Sequence, residues 1–87
     1  MMEYQIKAGQ IWREVDSRFP ELRYVRVEAE PFALSLASFA RTAVRTVCRD
    51  RPGAPWLPAV RSRRRLVLCE RFNGRLGGYE LVEDVKP

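Results

Sequence analysis

Arg41-Thr42-Ala43-Val44-Arg45-Thr46-Val47-Cys48-Arg49 decides the fold class of this 87-residue chain, because it reads in two periods at once. At helical spacing, Leu36, Phe39, Ala40, Ala43, Val44, Val47 and Cys48 share one side, and Arg41, Arg45 and Arg49 stack opposite them. At a period of two, Thr42, Val44, Thr46 and Cys48 alternate with Arg41, Ala43, Arg45 and Val47. β-Branched side chains lose rotamer freedom in a helix and pack well on a pleated surface. Thr42, Val44, Thr46 and Val47 therefore favour a strand over Ala43 to Arg49, with an amphipathic helix as the alternative.

The flanking segments carry plainer signals. From Gly9 to Asp16, Ile11, Arg13 and Val15 face one way and Gln10, Trp12 and Glu14 the other. Asp16-Ser17-Arg18-Phe19-Pro20 should end that strand, since Asp and Ser bond nearby backbone amides and proline cannot donate to a ladder. Arg23 to Glu30 alternates again, Tyr24, Arg26 and Glu28 against Val25, Val27 and Ala29, and the two runs should pair antiparallel. Beyond Arg49, the three prolines and one glycine of Pro52 to Pro58 predict an exposed irregular loop, at about 50–60, that carries Trp56. Leu66-Val67-Leu68-Cys69 reads as a short buried strand or one helical turn, and Arg71-Phe72-Asn73-Gly74 as a turn. Gly77-Gly78 adds a second flexible point before a closing strand, Tyr79-Glu80-Leu81-Val82. Five short strands in one domain spanning 1–87 predict a mostly β fold, a barrel or a bent antiparallel sheet, or an α+β fold if the middle segment is helical.

Composition bounds the function. An apolar fraction of 46% with nine aromatic residues belongs to a folded domain, and no apolar run approaches the length of a membrane helix. No secretory signal is apparent after Met1, so a cytoplasmic location is expected, and with it Cys48 and Cys69 as reduced, buried thiols, a single bridge between them being the alternative. The net charge of +5 is unevenly spread. Residues 1–40 sum to −1, residues 41–75 to +8 and residues 76–87 to −2, and fourteen of the sixteen basic residues are Arg. Arg presents a planar fork suited to phosphate and carboxylate, although GC-rich coding gives the same bias.

Several enzyme classes lose their usual groups. The chain has no His, which removes the common general base at neutral pH and the commonest zinc ligand. Two cysteines 21 positions apart make no metal site alone, and no cofactor is expected. Gly74-Arg75-Leu76-Gly77-Gly78 lacks the strand, helix and Lys-Ser/Thr context of a phosphate loop. The same-face acids, Glu14 with Asp16 and Glu28 with Glu30, read as solvated surface. A non-catalytic binding module is the expectation.

Gly9-Gln10-Ile11-Trp12 with Asp16 and Arg18, and then Arg71-Phe72-Asn73-Gly74 with Gly77-Gly78-Tyr79-Glu80-Leu81-Val82, form one pattern. It resembles a group of short bacterial and phage proteins that open G-Q-x-W…D-x-R and close R-F-x-G…G-Y-x-L-V. The resemblance covers the two ends, about half the chain, and implies a small SH3-like or KOW-like barrel in which residues 31–40 and 50–60 are insertions. No activity is attached to the group.

Phosphate-seeking arginines beside aromatic faces on a β surface suit nucleic acid. Arg61, Arg63, Arg64 and Arg65, with Arg41, Arg45 and Arg49, are the candidate phosphate contacts, and Trp56 is the candidate stacking platform. Trp12, Tyr24, Phe72 and Tyr79 are assigned to the core or its ends. The rival is a protein-interaction module, in which the same arginines meet an acidic protein surface and Trp56 anchors the interface. The phage-like resemblance suggests one version, an inhibitor of a host defence complex of the anti-CRISPR kind. A homodimer through a sheet edge is compatible with either.

Overall fold

The computed structural model describes residues 6–16, 23–33 and 39–85. In chain order its strands are β1 (Ile11–Glu14), β2 (Tyr24–Val27), β3 (Arg41–Cys48), β4 (Leu57–Pro58), β5 (Arg65–Leu68) and β6 (Tyr79–Glu83). A 3₁₀ turn, Cys69–Arg71, lies between the last two. Ser17 to Pro20, expected to end the first strand, and Leu36 of the helical pattern lie outside the described residues.

The two-period segment is therefore a strand, and its position explains the outcome. Along one edge β3 pairs with β2, from Tyr24↔Val47 to Val27↔Val44. Along the other, β5 takes its first half, Arg41↔Leu68 to Val44↔Arg65, and β4 takes its end at Val47↔Pro58 and Cys48↔Leu57. Strand neighbours on both sides satisfy the backbone groups that a helix would satisfy internally. β1 pairs antiparallel with β2 as expected, and β6 adds to the far side of β1. The β1–β6 register slips between Ile11 and Trp12, a bulge that increases the bend.

Alternation sends Trp12, Val25, Val27, Val44, Val67 and Tyr79 to the inner face, where Ile6 and Phe72 join them in one buried cluster. Its centre is aromatic: Phe72 meets Trp12 edge-on at 4.8 Å and stacks on Tyr79 at 5.0 Å. Ile11, Ala43 and Val47 are also buried, but on the outer face and outside that cluster. Of the two forms the sequence allows, a bent antiparallel sheet is the one observed. The strand order is β4-β3-β2-β1-β6 with β5 also on β3, and among the described residues the ladder does not close. One side chain crosses the open seam. The Arg65 guanidinium, on β5, reaches Glu14 Oε1 on β1 at 3.3 Å and Tyr79 Oη on β6 at 3.4 Å.

Four local expectations are corrected. Leu57–Pro58 forms a short edge strand despite the prolines around it, since Pro58 occupies an edge where no further donor is needed. Leu66-Val67-Leu68 is a strand, but only Val67 is buried and Leu66 is 52% exposed. Gly78 is buried in a crowded turn rather than being a flexible point. The thiols are free but not fully buried, Cys48 being exposed and Cys69 half-buried. Cys48 ends β3, whereas the Cys69 amide bonds Ala40 O beside its start, so about 23 Å of strand separates them and no bridge can form. Partial burial raises the Cys69 thiol pKa and keeps that sulfur protonated at neutral pH.

Gln10 ties the two ends of the described chain together. Its Oε1 accepts from the Lys7 amide at 2.9 Å and from the Trp12 indole at 3.1 Å, while its Nε2 donates to Asp84 Oδ1 at 2.8 Å. The Gln10 bond, then the Val85 amide and the nearby Lys7 charge, hold the Asp84 carboxyl below its ordinary pKa. A carboxylate lowered on folding adds stability above its unfolded value, about 3.9, which is lost as pH falls through the folded value. Thermal melts from neutral pH to about pH 2 should thus show Asp84→Asn losing less stability than the parent. An acid loss equal to the parent's would remove Asp84 from the pH dependence.

Candidate nucleic-acid interface

The arginines divide by what cancels their charge. On the outer face Arg13 pairs with Glu80 across β1 and β6, and Glu28 takes both Arg26 at 3.5 Å and Arg45 at 3.2 Å. Arg49 reaches Glu83 at 3.1 Å. Glu14, near the seam, takes Arg65 at 3.3 Å and lies 3.9 Å from Arg23. Partly exposed pairs such as these are worth about 0–1 kcal/mol each, so they matter less for stability than for deciding where positive charge is left over.

Period-two spacing puts Arg41, Arg45 and Arg49 on one face of the β3 line, as a helix would have put them on one stripe. Arg45 and Arg49 are neutralised there, and Arg41 is half-buried at the strand's start. Arg65 aligns with Val44 and so turns to the other face. The eight residues singled out from the sequence therefore do not form one surface.

Trp56 is a packed residue rather than a free platform. Its indole donates to Glu83 Oε2 at 2.8 Å, the Arg49 guanidinium lies 4.1 Å from its ring centroid, and the Tyr24 ring is 4.9 Å away at 48°. The loop after β3 folds back so that Trp56 lies against Tyr24 on the outer face, the aromatic partner that sequence reading did not find for it.

Arg41, Arg51, Arg71 and Arg75 also meet no carboxylate among the described residues, but each stands singly, and the densest uncancelled run is the β4–β5 connection. The Ala59 amide bonds Thr46 O at 2.9 Å, and the Ser62 amide closes a turn onto Ala59 O at 3.0 Å. That turn stands Val60 and Arg61 off the β3 edge, with Arg63 and Arg64 following into β5. No carboxylate occurs between Asp50 and Glu70. Arg61, Arg63 and Arg64 are exposed, and no described residue gives them an ion-pair partner. Thr46, Arg61, Ser62, Arg63 and Arg65 line an open groove of about 400 Å³.

Two arginines outside the proposed set act structurally. Arg71 donates twice to Gly77 O, at 3.0 and 3.2 Å, and lies over the Tyr79 ring at 5.0 Å. Arg13 keeps its Nε buried behind the Glu80 pair, with no hydrogen-bond partner among the described residues. Among the described residues no three Cys, Asp or Glu side chains gather to hold a metal ion, and no helix is long and apolar enough to cross a membrane. No family model, curated protein or solved structure matches the chain.

Proposed function

We propose that the chain is a non-catalytic nucleic-acid-binding module that holds the phosphate backbone through the arginines of the β4–β5 connection. The observation that carries this is the uneven cancellation of charge. Arg13, Arg26, Arg45, Arg49 and Arg65 all meet a carboxylate, while Arg61, Arg63 and Arg64 sit exposed, next to one another and without one among the described residues. A solubilising surface gains nothing from concentrating unpaired guanidinium groups, whereas a polyanion binds such a cluster and releases its counterions. The bent sheet supports a small-barrel-like binding module of SH3-like or KOW-like type, in which connecting loops carry recognition. In this reading Trp56 buttresses the outer face, and base stacking on it requires Arg49 to move aside.

Fluorescence anisotropy with labelled single- and double-stranded DNA and RNA, between about 50 and 200 mM salt, tests it. Binding should fall steeply with salt, and the triple variant Arg61→Ala, Arg63→Ala, Arg64→Ala should lower the log–log slope by about 2 on single strands and about 3 on duplex. An unchanged slope would take these residues out of the interface. A second reading has its own observation: Leu57, Val60 and Leu66, 59%, 92% and 52% exposed, flank the same arginines in the chain. Apolar residues beside unpaired positive charge suit an acidic protein surface, and an absence of binding at low salt selects that reading.

A further inference from the structure

The four arginines from Arg61 to Arg65 do not all point the same way. Arg61, Arg63 and Arg65 line the groove with Thr46 and Ser62, and Arg64 is outside it. Only Arg65 of the three meets a carboxylate, Glu14, which leaves two guanidinium charges uncancelled in one small concavity. A phosphodiester carries one negative charge. A phosphate monoester carries close to two at neutral pH and has three strong acceptor oxygens.

Two further features mark this groove. Arg61 has φ 62°, the left-handed region, and is the one residue other than glycine among those described to do so. Glycine would occupy that position without strain, so the turn holds a guanidinium where backbone preference asks for none. Strained conformations of this kind concentrate where they serve a ligand. Ser62 keeps a buried hydroxyl with no hydrogen-bond partner among the described residues, and an anion oxygen is the acceptor that such a donor lacks.

We infer that the groove is a discrete site for a phosphate monoester dianion, and that the module recognises the phosphorylated end of a nucleic-acid strand. This rests on the nucleic-acid reading above, but the groove's preference for a dianion is separable from it. Arg61 and Arg63 supply the charge, Arg65, held by Glu14, lines the groove beside them, Ser62 donates to a phosphate oxygen, and Arg64 contacts the adjoining backbone.

The experiment is an amide NMR titration of the full chain with inorganic phosphate at constant ionic strength, balanced with chloride. It is followed by anisotropy with one short DNA strand bearing a 5′-phosphate, a 3′-phosphate or only hydroxyl ends. Phosphate should give saturable shifts confined to Thr46 and residues 59–65. One phosphorylated end should bind at least about fivefold tighter than the hydroxyl-ended strand, two charge-assisted bonds being ample for that difference. Arg61→Gly, which relieves the backbone, should abolish the preference while the thermal midpoint stays or rises. Equal binding of all three strands would overturn the end-recognition site and leave the nucleic-acid reading standing. Saturable phosphate shifts without binding of any strand would overturn the nucleic-acid reading and keep the groove as a phosphate site. Absent or diffuse phosphate shifts would overturn the site outright.

Discussion

Gly78→Ala is expected to destabilise the protein by about 3 kcal/mol, the upper range for a substitution that overpacks a site without room to relax. A methyl group there would overlap the carbonyl oxygen of Arg71 and stand 2.7 Å from Asn73 Oδ1. Neither neighbour can yield cheaply. Asn73 is pinned by accepting from the Arg75 amide at 2.8 Å and donating to Glu70 O at 3.0 Å. The Arg71 backbone is fixed by the 3₁₀ turn and by its own side chain, which is anchored on Gly77 O and over Tyr79. Gly78 also accepts from the Val15 amide at 2.9 Å, so any shift is felt in β1. Gly77→Ala is the control. Nothing lies within 4 Å of its added carbon, but its φ of 85° strains any larger residue, so it should lose only about 1 kcal/mol. Urea midpoints of the two variants decide the matter. If Gly78→Ala loses no more than Gly77→Ala, close approach is not what the second glycine is for.

That pair of glycines also shows how far sequence reading reached. Alternation was enough for the first two strands: Tyr24 and Arg26 are half-exposed opposite buried Val25 and Val27, and in β1 only Ile11 is buried on the outer face, the rest of which is Arg13. It was also enough for the closing strand, with Tyr79 buried and Glu80 half-exposed. The middle strand was harder to read. It is covered on both faces, so Ala43 and Val47 are buried opposite Thr42 and Val44, and apolar residues then satisfy either period. Two glycines in sequence announce backbone freedom, but not that a carbonyl lies against one of them.

The candidate interface was legible in type and blurred in position. Residue type and local density pointed to Arg61 through Arg65, and no carboxylate comes near enough in sequence to cancel them. Cancellation elsewhere is a matter of register. Glu28 meets Arg45, 17 positions later, only because β2 pairs with β3, and Glu83 meets Arg49 and Trp56 only through the fold of the sheet. No spacing rule could have removed Arg45 and Arg49 from the list. Arg65 differs from its neighbours for the same reason, since Glu14 lies 51 positions away in sequence.

Gln10→Ala should lose about 3 kcal/mol, and Gln10→Glu should make stability rise towards acid where the parent's does not. Gln10 is 1% exposed, and the orientation of its amide is forced, because the Lys7 amide and the Trp12 indole can only donate and must both face Oε1. Alanine removes the Oε1 acceptor from the fully buried indole N–H and from a partly buried backbone N–H, each such loss costing about 1–3 kcal/mol, and opens space beside Trp12. Glutamate keeps an acceptor for both donors but replaces the Nε2 donor with an oxygen facing Asp84, 2.8 Å from the present nitrogen. Two carboxylates at that distance cannot both ionise cheaply, and burial adds to the penalty, so the folded pKa of the introduced acid is raised. A group whose acid form is favoured by folding destabilises above its unfolded pKa, about 4.3 for Glu, and the loss disappears as pH falls below that value. Melts of Gln10→Glu between pH 7 and pH 4 should therefore show stability rising towards acid, where the parent, whose lowered Asp84 loses its contribution only below about 3.9, does not rise. A variant that tracks the parent across this range would mean that Gln10 does not couple the first strand to Asp84.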